Sequence, residues 1–353
     1  MIAQDFLRTV DANAALIFDP AAAFALSGLC FAEGCLVVRE SGLTAVVPSG
    51  TAAVGGVALA TYGKVSFPHC TPPIDARCAL LAPLLSGMRQ VAVDFDAAPF
   101  WLSARFPELH WMDLSAQTQA LRTRKPASFD EGYARAAAVN RAAYAAVREA
   151  LRPGMSGQEL YACIARAEIL EGGAPSAFTG DFLIGADTAN ITGFSDHRRA
   201  QPGDAVIVDL LSSQNGYHCD TTRTFFLGEP SAAQRAAYRA VLRALHAGER
   251  MLRPGARASE VYRAVSDSLI SDGCGALVHH AGHCVGYRWF EYPDFVPGCD
   301  APLTENMVVT LEPGLYFPGQ FGVRFENNYR VTAHGPAVLF DKSEAIDDYI
   351  VDI

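Results

Sequence analysis

No cysteine of this chain belongs to a CxxC pair, no apolar run approaches the length of a membrane span, and acidic residues outnumber basic ones by 38 to 28. The first absence speaks against zinc-finger-type chemistry. The nine cysteines, at 30, 35, 70, 78, 163, 219, 274, 284 and 299, are odd in number and several lie in apolar segments, which suits reduced thiols in a cytosol. The second absence argues against a membrane protein. The opening MIAQDFLRTVDANAALIFDP places Asp and Arg early and lacks the basic start and unbroken apolar core of a signal peptide, so a cytoplasmic chain is expected. The third absence leaves a formal charge of −10 and no basic stripe for a phosphate backbone, which excludes nucleic acid as an expected partner.

What remains is a globular composition, 50% hydrophobic and 19% charged, and at 353 residues long enough for two domains. Five side chains stand out: Asp209 in AVIVDLL, Asp220 in YHCDTTRTF, His283 in HHAGHCVG, Glu312 in VVTLEPGLY and Glu326 in GVRFENNYRVT. Any one alone could end a strand, cap a helix or form a surface pair. Four of them lie within or beside apolar, β-prone runs, where an ionised carboxylate is costly unless a cation or donor compensates it. Four carboxylates and one imidazole make a hard, mostly anionic ligand set suited to two divalent cations. Cys219 and Cys284 flank these residues and are expected only to pack.

Strand-like runs between 14 and 49, with VAVDF at 91–95, imply an α/β unit over 1–122, followed by a polar boundary through 113–130. Beyond it, residues 129–150 are strong helix formers at amphipathic spacing that stop at Pro153-Gly154, and Ser156 with Glu159 forms a capping box for a second helix. LRPGMSGQELY at 151–161 aligns without a gap on LRPGARASEVY at 252–262, and each copy is followed by a helix ending in glycine. Each is then followed by a strand pair, one with Asp209 and Asp220, the other with Glu312 and Glu326. The repeat predicts a duplicated domain over 129–353 in which helices cover one curved antiparallel sheet. The odd separation of Asp209 and Asp220 calls for a hairpin or bulge, expected as strands of four to five residues around SSQNG. His283 is expected in a glycine-bounded turn, and Glu312 at a strand end fixed by Pro313-Gly314.

Two aspartates with ten residues between them, then G-H-x-x-G, L-E-P-G and V-R-x-E on a duplicated helix-and-hairpin domain, resemble the M24 family of pita-bread metallohydrolases. That family includes methionine aminopeptidase, aminopeptidase P and prolidase. The likeness spans 129–353, and the first unit is similar to the extra domain of the aminopeptidase P, prolidase and creatinase branch. It implies an α+β fold: a duplicated pita-bread C-terminal domain with a smaller α/β N-terminal domain. It further implies that Asp209 chelates one metal, that His283 and Glu312 chelate the other, and that Asp220 and Glu326 bridge both. A hydroxide between the cations would attack a carbonyl carbon, with Glu312 as proton shuttle and His279 as the retained cleft histidine. Thr222 and Arg324 match positions that orient ligating carboxylates, and Arg324 is expected at the substrate pocket. Manganese is the expected metal, with iron, cobalt and zinc as alternatives, and the family implies a homodimer.

Two departures bear on substrate. Phe290 and Thr192 stand where the resemblance implies substrate-facing histidines, and the aromatic segment 287–292 is expected to place Phe290 and Trp289 on the pocket wall. Nearby polar groups that could substitute are His218, His280, His197, Arg288 and Glu291. The resemblance therefore implies a hydrolase cleaving a dipeptide of the Xaa-Pro type or another small amide, with a non-peptide C–N hydrolase or lyase as the alternative. The lyase is disfavoured because its additional acid would fall on Leu211.

Overall fold

The computed structural model describes residues 3–63, 73–174 and 180–353. Cys70 lies outside them. The chain divides into two compact units, Met1–Arg122 and Thr123–Ile353.

The first unit is built on a mixed six-stranded sheet, in the order Val57–Tyr62, Gly42–Pro48, Cys35–Arg39, Ala14–Ile17, Gln90–Val93, His110–Asp113. Its central strands read as unbroken apolar runs because both faces are covered, and successive residues serve different cores. Ala15, Ile17, Leu36 and Val38 pack on one side, while Ala14, Leu16, Cys35 and Val37 pack on the other. The helix Pro20–Ser27 starts where Asp19 Oδ1 accepts from Ala21 N at 3.0 Å, with proline in the first turn. The polar stretch expected as a boundary holds a helix, Ser115–Thr123, most of whose residues are half-buried.

In the second unit the repeat is visible as two helix pairs, Phe129–Ala150 with Gly157–Leu170 and Ala232–Glu249 with Ala258–Ser271. The capping box forms: Ser156 Oγ accepts from Glu159 N at 3.2 Å, and Glu159 Oε2 accepts from Ser156 N at 2.8 Å. In the second copy Glu260 still accepts from the backbone of Arg257, at 2.9 Å.

Each helix pair is followed by a hairpin. The first joins Ala205–Gln214 to Tyr217–Leu227 through Asn215-Gly216, both at positive φ, the turn whose twist suits adjoining strands. These strands are ten and eleven residues long, about twice the expected length, because the pairing runs on through Ser212, Ser213 and Gln214. The second pairs Val308–Leu311 with Asn327–Thr332, and Gly314–Phe317 with Phe321–Arg324.

The expected single sheet is divided into ladders of four, five and two strands, with one parallel pair where Ile350–Val351 meets Phe226–Leu227. Threonines stitch the seam. Glu326 N donates to Thr222 O at 3.0 Å, and Thr224 Oγ1 both donates to Arg324 O at 2.8 Å and accepts from Arg324 N at 3.0 Å. One hydrophobic core spans both repeats, from Val147 and Ile164 to Val265 and Val331.

Glu168 is an exception within that packing. It is 5% exposed, and its Oε1 has no hydrogen-bond partner among the described residues. Burial pushes its carboxyl up to about 7 from 4.5. The folded state therefore holds this proton more tightly than the unfolded chain, and stability falls as pH rises from about 4.5 to 7. Glu168→Gln is expected to leave stability unchanged at pH 4 and raise it by about 1–3 kcal/mol at pH 8, read from denaturant midpoints at the two pH values.

Candidate metal centre

The second unit gathers the five singled-out side chains. On the first hairpin Asp209 pairs with Thr222 and Asp220 with Leu211, so the two aspartates are diagonal neighbours on one face. Glu312 and Glu326 follow and precede the paired residues Leu311 and Asn327, at the kink between the two ladders of the second hairpin.

His283 is not in a turn. It begins a two-residue strand, His283–Cys284, laid between Glu291–Asp294 and Val308–Leu311 and too short to show any periodicity in sequence. Gly282 makes the entry: at φ 150° it approaches the neighbouring strand so closely that a Cβ would lie 2.2 Å from Thr310 O.

Three of the four carboxylates are each oriented by one protein donor. Arg324 Nη2 holds Asp209 Oδ2 at 2.9 Å, Thr222 Oγ1 holds Glu326 Oε2 at 2.9 Å, and Thr310 Oγ1 holds Glu312 Oε1 at 3.0 Å. The other oxygens of Asp209 and Glu326, Oδ1 and Oε1, are buried without a partner among the described residues. His283 Nδ1 lies 2.9 Å from the Cys284 carbonyl, which can only accept. The proton therefore sits on Nδ1, and Nε2 turns its lone pair to the cluster, 3.5 Å from both Asp220 Oδ2 and Glu312 Oε1. Donor atoms of Asp220, His283 and Glu326 all lie within 4.8 Å of one another, as do those of His279, His280 and Glu312.

Asp220, His283 and Glu326 are each no more than 3% exposed. Burial pushes Asp209 up to about 7, aided by Asp181 and Glu312 and opposed by Arg324. Burial, with the neighbouring carboxylates, also raises Asp220 and Glu326 well above the carboxylate range. For Glu312 burial is outweighed by His280, His283, His279 and Arg324, and its carboxyl is lowered. So many buried like charges around one arginine cannot all ionise unaided; the bare oxygens and the imidazole lone pair fit divalent cations.

A cavity of about 170 Å³ opens onto this cluster. Thr192, Phe290, Arg324 and His279 line it, as do Asp181, His280, Ile191 and Leu211. Phe290, 57% exposed, lies with its ring centroid 4.3 Å from that of His283. Trp289, expected beside it on the wall, is elsewhere. The chain bends through 286–290, and Trp289 packs edge-on against His218 at 5.2 Å.

His279 lines the cavity with both ring nitrogens engaged. Nδ1 donates to His280 O at 2.7 Å, and Nε2 accepts from Tyr316 OH at 3.0 Å. Asp181, Tyr316 and Thr310 went unnoticed in sequence because their roles are long-range partnerships with Arg324, His279 and Glu312.

Lys125 and Glu291 form a buried ion pair, both essentially inaccessible. Glu291 Oε1 also accepts from Tyr287 N at 2.7 Å and Arg288 N at 2.9 Å, fixing the loop that presents Phe290. Lys125→Met would leave an uncompensated buried carboxylate and is expected to cost about 3–5 kcal/mol, measured by chemical denaturation.

This helix-and-hairpin duplication, closing on four carboxylates and an imidazole, is the architecture of a pita-bread metallohydrolase. The chain belongs to metallopeptidase family M24, whose sequence model matches residues 131–333. It is 38% identical over 203 residues to the "Probable dipeptidase PepE" of Mycobacterium tuberculosis, covering 56% of this chain and 53% of that protein. It is 32% identical over 197 residues to the "Xaa-Pro dipeptidase" of Pyrococcus furiosus, covering 56% of each. The chain thus spans about half the length of the curated relatives it matches. The fold is shared with the X-Pro aminopeptidase from Thermotoga maritima, at a TM-score of 0.85 and 21% identity, over 99% of this chain and 100% of that one. Among the described residues, no helix is long and apolar enough to cross a membrane.

Proposed function

We propose that the protein is a cytoplasmic, dinuclear metal-dependent hydrolase that cleaves dipeptides, Xaa-Pro dipeptides among them, or comparably small amides, and that it works as a homodimer. Residues 129–353 would be its catalytic domain and 1–122 a separate α/β domain. One observation carries the reading: pinned carboxylates present bare oxygens to the same space as the His283 lone pair.

Asp209 would hold one cation, His283 and Glu312 the second, with Asp220 and Glu326 shared between them. Manganese or iron suits so carboxylate-rich a set, with cobalt and zinc as alternatives. Divalent cations bound there supply Lewis acidity and a water acidic enough to attack a carbonyl at neutral pH.

The chain's own groups do the rest. Arg324 and Thr222 fix the rotamers of Asp209 and Glu326, so their second oxygens need no reorganisation to ligate. Glu312, whose lowered carboxyl keeps it ionised, is placed to hold a proton at its Oε2 and pass it to the departing amine. Phe290 packs its ring over His283 and gives that side of the cavity an apolar wall.

The same ring favours a second reading, a non-peptide C–N hydrolase, since it offers a substrate no polar contact. The experiment is to assay the Mn-loaded protein on Xaa-Pro and other dipeptides and on small cyclic amides, beside Phe290→His and Thr192→His. Dipeptide turnover by the unmodified protein is the expected result. Cyclic-amide turnover without peptide turnover would replace the peptidase reading by the second.

A further inference from the structure

Hydrolysis of an amide places a negative charge on the former carbonyl oxygen, and a hydrogen-bond donor aimed there lowers the barrier more than almost any other single group. The side chains lining the cavity include five that carry N–H or O–H donors, and three of those are committed. Arg324 spends its guanidinium on Thr222 Oγ1, Ile191 O, Tyr316 OH, Asp181 and Asp209. His279 gives its proton to His280 O, and His283 gives its proton to Cys284 O. Thr192 and His280 remain, and Thr192 is exposed.

His280 is the better placed of the two. Its ring stacks on His283, centroids 5.4 Å apart and planes 19° off parallel, and its Nε2 lies 3.5 Å from Glu312 Oε2. Phe290 confines it on another side, at 6.4 Å. The imidazole is therefore held against the carboxylate cluster while its side chain keeps 29% exposure to the cavity.

Resting on the hydrolase reading above, we propose that His280 is a catalytic residue: its ring N–H donates to the carbonyl oxygen of the scissile amide and strengthens that bond as the oxygen becomes anionic. A neutral imidazole suffices. The proton stays on the ring throughout, and the hydrogen bond simply loosens when the tetrahedral species collapses.

The test uses the metal-loaded full chain and compares the native protein with His280→Ala and His280→Gln, whose amide nitrogen can reach the place of Nε2. The expected result for alanine is a fall in kcat of about 10²–10³ with KM changed less than about threefold. Cobalt stoichiometry, read by metal analysis, should be unchanged, and glutamine should recover at least about tenfold of the lost kcat. A kcat within about threefold of native overturns the proposal, and so does a glutamine variant no better than alanine. Loss of bound cobalt together with activity also overturns it, by making His280 a metal ligand.

If the native protein cleaves no dipeptide or small amide, it is the hydrolase reading that fails. The donor role is then decided by calorimetry with a phosphinic dipeptide isostere, whose tetrahedral oxygens present the same acceptor. Binding at least about 30-fold weaker in His280→Ala supports it; equal affinities, or no binding by either protein, overturn it.

Discussion

Asp220→Asn is expected to lose turnover and metal binding together, and yet to unfold at a higher temperature than the native protein when both are metal-free. The side chain is 3% exposed, and burial followed by the charges of Asp209 and Glu312 raises its carboxyl well above 3.8. In a metal-free site that ionised group is a liability. The folded state holds the proton that the unfolded chain releases near 3.8, so the liability grows as pH rises above that value. The isosteric amide removes it, and a gain of about 0.5–2 kcal/mol at pH 8, vanishing toward pH 4, is expected from thermal unfolding. Added Mn²⁺ should raise the melting temperature of the native protein and leave that of the variant in place. A variant whose melting temperature still climbs with Mn²⁺ would contradict the role assigned to Asp220.

Arg324→Met is expected to be the most destabilising single change at the site, by about 3–5 kcal/mol in denaturant unfolding of the metal-free protein. The guanidinium is 3% exposed and touches both Asp181 and Asp209 at 2.9 Å, so its removal strands two carboxylates at once. Arg324→Lys should recover little, because one ammonium cannot reproduce a planar fork reaching Thr222, Ile191, Tyr316 and both acids. Metal loading should halve the penalty or better, since cations at Asp209 replace part of the lost positive charge. A cost below about 1 kcal/mol would show that these contacts do not hold the site together.

The four clustered carboxylates were legible because each breaks a local rule. A carboxylate inside AVIVDLL or GVRFENNYRVT makes no sense in an apolar strand without compensation, and that anomaly can be read without knowing the fold. The capping box at Ser156 and the ungapped repeat of LRPG were legible for the same local reason.

What was not legible depends on pairing at a distance. Nothing near Asp181 in GDFLIG announces that it meets Arg324, 143 residues away. The strand at His283 exists only because two neighbours hold it. Trp289 packs on His218 because the chain bends through 286–290, which aromatic content alone does not reveal. The expected cleft histidine, His279, has its remaining nitrogen occupied by the hydroxyl of Tyr316.

The carboxylate cluster is expected to take two cations. Isothermal calorimetry of the metal-free chain with Mn²⁺ or Co²⁺ measures that directly. Two equivalents per chain for the native protein, with binding lost in Asp220→Asn and Glu326→Gln, is the expected result. No binding, or binding that both substitutions leave unchanged, would contradict it.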